Sequence, residues 1–147
     1  AFLQQGFVAP RMLRAFKRSV ELDPNHVPGL VGLANYYLYS PAIAGGSYER
    51  AEEFALRVEK LDVFNGGLVR AQIRERQEKW AEAAQCYRAA LVAQPQNPWL
   101  HTQLGGALAK AGQTLEAKAA FEAALGIDPA HVRAREGLRA LERAGAD

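Results

Sequence analysis

The stretch AQIRERQEKWAEAAQCYRAALVAQP, residues 71–95, is matched 34 positions later by GGALAKAGQTLEAKAAFEAALGIDP, residues 105–129. When the two stretches are aligned, small residues match small residues and an aromatic residue matches an aromatic residue. A fixed period of this length indicates a stack of similar helical units rather than one irregular domain. The aligned pairs are Ala71/Gly105, Ala83/Ala117, Tyr87/Phe121, Ala90/Ala124, Leu91/Leu125 and Pro95/Pro129.

The composition of the 147 residues agrees with this interpretation and excludes several classes of protein. Abundant Ala and Leu with little Thr, Val or Ile favour helices over strands. The formal net charge is only +2 and the charges are interspersed, which indicates no nucleic-acid binding. No apolar stretch is long enough to span a membrane, so the sequence predicts no membrane insertion. The single cysteine excludes a disulfide within the chain.

Apolar spacings of three and four, interrupted by proline and glycine, predict eight helices. Pro10 is expected to begin the first helix, since proline suits the first helical turn. The segment SPAIAGG, residues 40–46, is expected to be a loop that ends at Ser47, an N-cap. The predicted helices span residues 10–22, 27–39, 48–61, 65–76, 80–93, 99–111, 114–127 and 132–143.

These residues resemble the tetratricopeptide repeat family. The family places small residues where two helices cross, an aromatic between neighbouring hairpins and a proline in the following turn. The resemblance implies an all-α fold, a right-handed α-solenoid of antiparallel helix hairpins with about eight helices and a C-terminal capping helix. The residues that carry it are Ala71, Ala83, Tyr87, Ala90 and Pro95 in one unit, and Gly105, Ala117, Phe121, Ala124 and Pro129 in the next.

The resemblance divides residues 1–147 into a single array. The expected parts are a partial repeat at 1–26, a repeat with an inserted turn at 27–63, repeats at 64–97 and 98–131, and a capping helix at 132–147. The glycine-rich turn resembles a variant found in bacterial proteins of unknown role. Because the sequence does not begin with Met and does not start like a signal peptide, we interpret it as a fragment of a larger bacterial protein. The sequence does not decide between the cytoplasm and the periplasm as the location of the protein.

No residues form a recognisable catalytic, metal or cofactor constellation, so the sequence predicts a protein that is not an enzyme. His26 and His131 occupy the same turn in two repeats, and His101 has no ligand-type residue one helical turn away. Cys86 stands among alanines and is expected to act as a small apolar side chain. Gly45 precedes a helix, where a turn requires glycine and a ligand contact is the alternative.

The family resemblance implies that partners bind in a concave groove lined by the first helix of each hairpin. Mapped onto this sequence, the groove mixes aromatic, amide and charged groups, which suits an extended peptide. The residues are Asn35, Tyr39, Asn65, Leu68, Gln72, Glu75, Arg76, Trp99, Thr102 and Lys110. Family members that clamp a terminal carboxylate carry a different set, since Val31, Val69, Trp99 and Gln103 stand at those places here and only Asn35 agrees.

The leading interpretation is a non-catalytic module that binds a protein or peptide. A second interpretation is self-association, because Met12, Phe16 and Val20 would be left uncovered if the first hairpin is incomplete. A third is a regulatory segment of an enzyme. The sequence does not name the partner.

Overall fold

A computed structural model describes residues 2–145, and it describes side chains from residue 10 onward. Within that range it contains eight α-helices and no strand; residues 1, 146 and 147, which the predicted repeat boundaries include, lie outside it. The chain forms two compact units, one up to Ile73 and one from Arg74 onward. The helices are α1 (Phe2–Leu22), α2 (Val27–Tyr39), α3 (Tyr48–Leu61), α4 (Val63–Arg76), α5 (Trp80–Ala93), α6 (Pro98–Lys110), α7 (Thr114–Ile127) and α8 (Val132–Ala144).

The first helix begins earlier than the sequence predicts. Pro10 lies inside α1, which starts at Phe2, so the expectation that Pro10 opens the helix is wrong. A proline lacks only one backbone donor, and a helix can continue past it at the cost of that hydrogen bond and a local bend. The bounds of α2, α5 and α7 agree with the prediction at both ends.

The fourth helix also begins earlier than predicted, at Val63 instead of Asn65. A single residue, Asp62, separates α3 from α4. Its carboxylate caps the start of α4, so a longer turn is not needed. Asp62 Oδ1 accepts a hydrogen bond from the Asn65 backbone N–H at 2.9 Å, and Oδ2 accepts one from the Asn65 side chain at 2.7 Å. This capping satisfies a backbone donor in the first turn of α4.

The turns before α2 and α8 use histidine as the N-cap. His26 Nδ1 accepts a hydrogen bond from the Gly29 N–H at 3.1 Å, and His131 Nδ1 accepts one from the Ala134 N–H at 3.4 Å. The sequence predicts that they recur because they share a turn, and the structure shows that their specific role in that turn is to start a helix. The predicted N-cap Ser47 is also confirmed, since its Oγ accepts from the Arg50 N–H at 3.2 Å.

The turn between α2 and α3 has eight residues, 40–47, whereas the α4–α5 and α6–α7 turns have three each. It contains one 3₁₀ turn, Ala42–Ala44, and the Tyr36 hydroxyl donates to the Ala44 carbonyl at 2.9 Å. Gly46 is required sterically, because a Cβ there would lie 1.9 Å from the Ser40 carbonyl oxygen. The long turn is therefore anchored to α2 rather than loosely attached.

The core of the first unit lies between α1, α2, α3 and the part of α4 in this unit. The Tyr37 and Phe54 rings stack at 5.7 Å, and the Arg50 guanidinium lies 4.6 Å from the centre of the Tyr37 ring. Small residues allow α2 and α3 to approach closely. The buried members are Leu33, Ala34, Tyr37, Leu38, Ala51, Ala55, Val69 and Ile73.

An ion-pair network joins α3 to α4 in the same unit. Arg70 Nε lies 3.0 Å from Glu52 Oε1, and Arg70 Nη1 lies 3.1 Å from Glu59 Oε2. All three side chains are partly buried, so one guanidinium holds two carboxylates of α3 in place with charge-assisted hydrogen bonds.

In the second unit α6 packs against α5, α7 and α8. The Phe121 ring is buried between two glycines, since added Cβ atoms at Gly105 and Gly137 would lie 2.7 Å and 2.4 Å from its atoms. The small residue at the helix crossing, which the repeat pattern predicts, therefore has a specific steric cause at Gly105.

Replacing Gly105 tests this packing. We expect Gly105→Ala to lower the free energy of unfolding by about 1–3 kcal/mol, because Phe121 has no space into which to move. The matched control is Gly106→Ala on the same helix. Nothing lies within 4 Å of a Cβ there, so alanine should stabilise by about 0.5–1 kcal/mol through helix propensity. Urea denaturation measures both; equal effects would contradict the steric explanation.

The α4–α5 turn carries a strained residue. Glu78 has φ = 59°, and Gly112 adopts φ = 79° at the corresponding place 34 residues later. Left-handed backbone costs a non-glycine residue roughly 1–2 kcal/mol. We therefore expect Glu78→Gly to stabilise the protein by about 0.5–1 kcal/mol.

The reciprocal change, Gly112→Ala, should destabilise the protein by about 1 kcal/mol for the same reason. Thermal melting followed by circular dichroism compares the two variants with the wild type. A Glu78→Gly variant that melts below the wild type would show that the Glu78 side chain contributes more than the strain costs.

Candidate partner-binding surfaces

An open, mainly apolar pocket lies between α1 and α2 in the first unit. Its volume is about 350 Å³, within the usual range for ligand sites. Met12 and Phe16 line it from α1, one helical turn apart, and Gly32 permits the close approach because a Cβ there would lie 2.5 Å from the Phe16 ring. The residues that line it are Met12, Phe16, Gly32, Asn35, Tyr36, Tyr39 and Ser40.

Two of the predicted partner-binding residues, Asn35 and Tyr39, belong to this pocket. Asn35 Oδ1 is buried and has no hydrogen-bond partner among the described residues. A buried polar oxygen without a partner costs about 1–3 kcal/mol, so a ligand that donates a hydrogen bond would recover that energy. Tyr39 is 54% exposed at the rim, where its ring can contact a ligand.

The other predicted residues of the first unit lie on α4. Asn65 is exposed, but its amide is engaged with Asp62 in the cap described above. Leu68 and Gln72 are partly buried. Gln72 is of intermediate exposure, whereas Asn65 would have to leave its capping contact to bind a partner.

In the second unit three predicted residues, Glu75, Trp99 and Lys110, are linked through two aromatic side chains. The Lys110 ammonium lies 4.2 Å from the centre of the Trp80 ring, and Trp99 meets Tyr87 edge to face at 6.5 Å. Glu75 interacts with the Tyr87 hydroxyl and with Lys110. We call these five residues the Glu75 cluster.

Burial raises the pKa of the Glu75 carboxyl above its ordinary value of 4.5, while the Tyr87 hydroxyl and the Lys110 ammonium act in the opposite direction. A partly buried carboxylate of this kind can accept hydrogen bonds from cationic or amide groups. Trp99 is 36% exposed, so the cluster reaches solvent beside this acid.

Two further predicted residues lie in the second unit and differ in accessibility. Arg76 is exposed on the last turn of α4. Thr102 is only 5% exposed, and its hydroxyl donates to the Pro98 carbonyl at 2.8 Å. Its position on the groove face predicts contact with a partner, yet the hydroxyl is already engaged within α6.

Several residues at these surfaces were not among the predicted binding residues. Met12 and Phe16 line the pocket; their spacing of four along one helix face made them candidates for self-association in the sequence, but not for the groove. Trp80 and Tyr87 join the Glu75 cluster. Arg74, which departs from the usual apolar residue, pairs instead with Glu82 at 3.0 Å.

The described side chains, residues 10–145, assemble no metal site. No group of three or more histidine, cysteine or acidic side chains comes together among the described residues. His101 Nε2 lies 2.8 Å from the Pro95 carbonyl, and Cys86 is partly buried. None of the described helices is both long and apolar enough to cross a bilayer.

Comparisons with known proteins support the helical-repeat fold. Sequence models described as "TPR repeat" and "Tetratricopeptide repeat" match residues 73–112 and 100–131. No curated protein sequence matches the chain. Among solved structures, MamA from Desulfovibrio magneticus RS-1 is 21% identical, covers 99% of this chain and 80% of its own, and has a TM-score of 0.77.

Two other similar structures contain bound peptides. The first TPR of Spaghetti (RPAP3), bound to an HSP90 peptide, is 23% identical with a TM-score of 0.68 and covers 82% of this chain and 94% of its own. The second TPR domain of human RPAP3, in complex with an HSP70 peptide, is 25% identical to this chain, with a TM-score of 0.60. The match covers 68% of this chain and 85% of the RPAP3 domain.

The helices, the repeat pattern and these matches define an all-α repeat protein of the solenoid class. Residues 73–131 of this chain match the tetratricopeptide repeat. Repeats of this family generally serve as non-catalytic interaction modules.

The raised pKa of Glu75 predicts a pH dependence. A carboxyl whose pKa is higher in the folded than in the unfolded chain favours folding when protonated. This stabilisation is complete below pH 4.5, the unfolded pKa, and is lost as the pH rises through the folded pKa. Glu75→Gln should therefore gain stability relative to the wild type between pH 4.5 and neutral.

Chemical denaturation at several pH values measures this difference. Glu142→Gln, which changes an exposed carboxylate on α8, provides the control and should follow the wild type. Parallel curves for wild type and Glu75→Gln would show that the folded structure does not perturb Glu75.

Proposed function

We propose that this protein is a non-catalytic interaction module that binds a peptide or a partner protein through the predicted groove residues. The observation that carries the proposal is the buried, unpartnered oxygen of Asn35 beside an open apolar pocket. An amide placed in this way can bond the backbone of a bound chain, while the pocket accepts an apolar side chain.

The second unit supplies a different kind of contact. Trp99 and Lys110 offer an aromatic ring and a cation, and Glu75 offers a partly buried acid. Rigid aromatic and charged groups held by packing lose little entropy on binding. We propose that the predicted repeats at 27–63, 64–97 and 98–131 contribute these residues, each through its first helix.

The partner we expect differs from the peptides in the RPAP3 complexes. Members that clamp a terminal carboxylate need cationic and amide groups where this chain has Val31, Val69 and Trp99. Apolar side chains cannot neutralise a terminal carboxylate. The proposal is therefore a peptide or protein surface recognised without that clamp.

The amides of Asn35 and Gln72 provide the test. A partner captured by the immobilised protein is identified, and its dissociation constant is measured for wild type and for the Asn35→Ala/Gln72→Ala double variant. Loss of two hydrogen bonds should weaken binding roughly tenfold to a hundredfold. Unchanged affinity would remove these first-helix residues from the binding surface.

The control for this experiment is Gln85→Ala, which removes an exposed amide from α5, outside the predicted groove. It should bind the partner within twofold of wild type. Circular dichroism of all three proteins must show equal folding, so that a loss of affinity reports on contact rather than on stability.

Self-association is the second candidate, because Met12 is 47% exposed beside the pocket. If the pocket joins two copies, sedimentation equilibrium should show a dimer whose population falls in Met12→Ala. A monomer across the micromolar range would exclude this candidate.

A further inference from the structure

The apolar pocket between α1 and α2 has an equivalent in the second unit. A shift of 71 residues places Phe16 on Tyr87 and Tyr39 on Lys110. In the second unit the corresponding side chains interact with Glu75 at the end of α4, Tyr87 through its hydroxyl and Lys110 through its charge. A helix end that carries an acidic residue therefore occupies the equivalent place there.

The place beside Phe16 in the first unit is open to solvent, whereas the equivalent place beside Tyr87 in the second unit is covered. Tyr87 is fully buried, whereas the pocket beside Phe16 remains accessible and its rim residues Met12 and Tyr39 are 47% and 54% exposed. By this internal comparison, the pocket corresponds to a place that the end of α4 covers in the second unit. Asn35 lines this pocket and carries a buried side-chain oxygen without a partner among the described residues, so an occupant that donates a hydrogen bond to it would be favoured.

The charge of α1 indicates the chemistry of the occupant. Residues 10–22 contain four cations and one acid, Glu21, which pairs with Arg18 at 3.3 Å. Arg11, Arg14, Lys17 and Arg18 are all exposed on this helix. An acidic surface would be attracted to it, whereas a symmetric contact between two copies would bring like charges together.

We propose that this pocket docks an acidic amphipathic helix of a partner protein. The apolar face of that helix contacts Met12 and Phe16, a donor near its apolar face bonds Asn35 Oδ1, and its acidic flank faces Arg11 and Arg14. This inference rests on the proposed interaction function and specifies one occupant for the first unit. Recognition of apolar anchors on one helix face is a recurrent mode of peptide binding.

The test begins with selection from a phage library that displays helical and extended peptides with balanced charge. The enriched sequences should be acidic amphipathic helices. The best peptide and its counterpart with each Glu replaced by Lys are then titrated calorimetrically against the 147-residue chain. The acidic peptide should bind at least tenfold more tightly than the basic one.

Two variants test the pocket itself. Met12→Ala removes apolar contact from a half-exposed side chain and should weaken the acidic peptide about fivefold or more. Arg11→Glu/Arg14→Glu should weaken it at least tenfold and should improve binding of the basic counterpart. The matched control, Arg133→Glu/Arg139→Glu on α8, should stay within twofold of wild type.

Several results would overturn the inference. Enrichment of neutral, basic or proline-rich extended peptides, or of none, contradicts an acidic helix. So does binding that is indifferent to both pocket variants, or a dimer in sedimentation equilibrium that Met12→Ala dissociates. If an extended peptide binds, is weakened by Asn35→Ala/Gln72→Ala and ignores Met12→Ala, the proposed function stands and the helix-docking inference alone falls.

Discussion

Close approach of helices at small residues is the constraint on which the packing of both units depends. In the first unit Ala34, Ala51 and Ala55 are fully buried where helices meet. In the second, Gly105 leaves room for one face of the Phe121 ring. Alanine and glycine bury little area themselves, but they bring larger neighbours into van der Waals contact. The aromatic rings and leucines can then fill the remaining space.

This arrangement also explains why polar groups sit where they do. Helices packed through small side chains place their longer residues at the margins, where charges stay partly hydrated. Arg70 with its two glutamates and Arg74 with Glu82 are examples. Each pair links consecutive helices at the edge of the packed surface, where the cost of removing charge from water is smaller than in the interior.

Much of the fold could be predicted from the sequence because helix periodicity, caps and a repeat period depend on local spacing. The predicted bounds of α2, α5 and α7 agree with the structure. The beginning of α1 was missed because proline discourages a helix without forbidding it. Repeat spacing shows which way a side chain points from its helix, but not what already bonds to it. For that reason the cap contact of Asn65 and the buried hydroxyl of Thr102 became visible only in the folded chain.

The α2–α3 and α3–α4 connections differ in length, and this difference determines where the chain can accept inserted residues. The single residue Asp62 leaves no slack between α3 and α4, whereas the eight-residue segment 40–47 ends in a cap and exposes Ile43 almost completely. Closing a somewhat longer loop costs little entropy once its ends are anchored. Epitope tags, fluorescent labels or grafted recognition peptides are therefore best accommodated at Ile43, and a residue added beside Asp62 would rotate one helix against its neighbour.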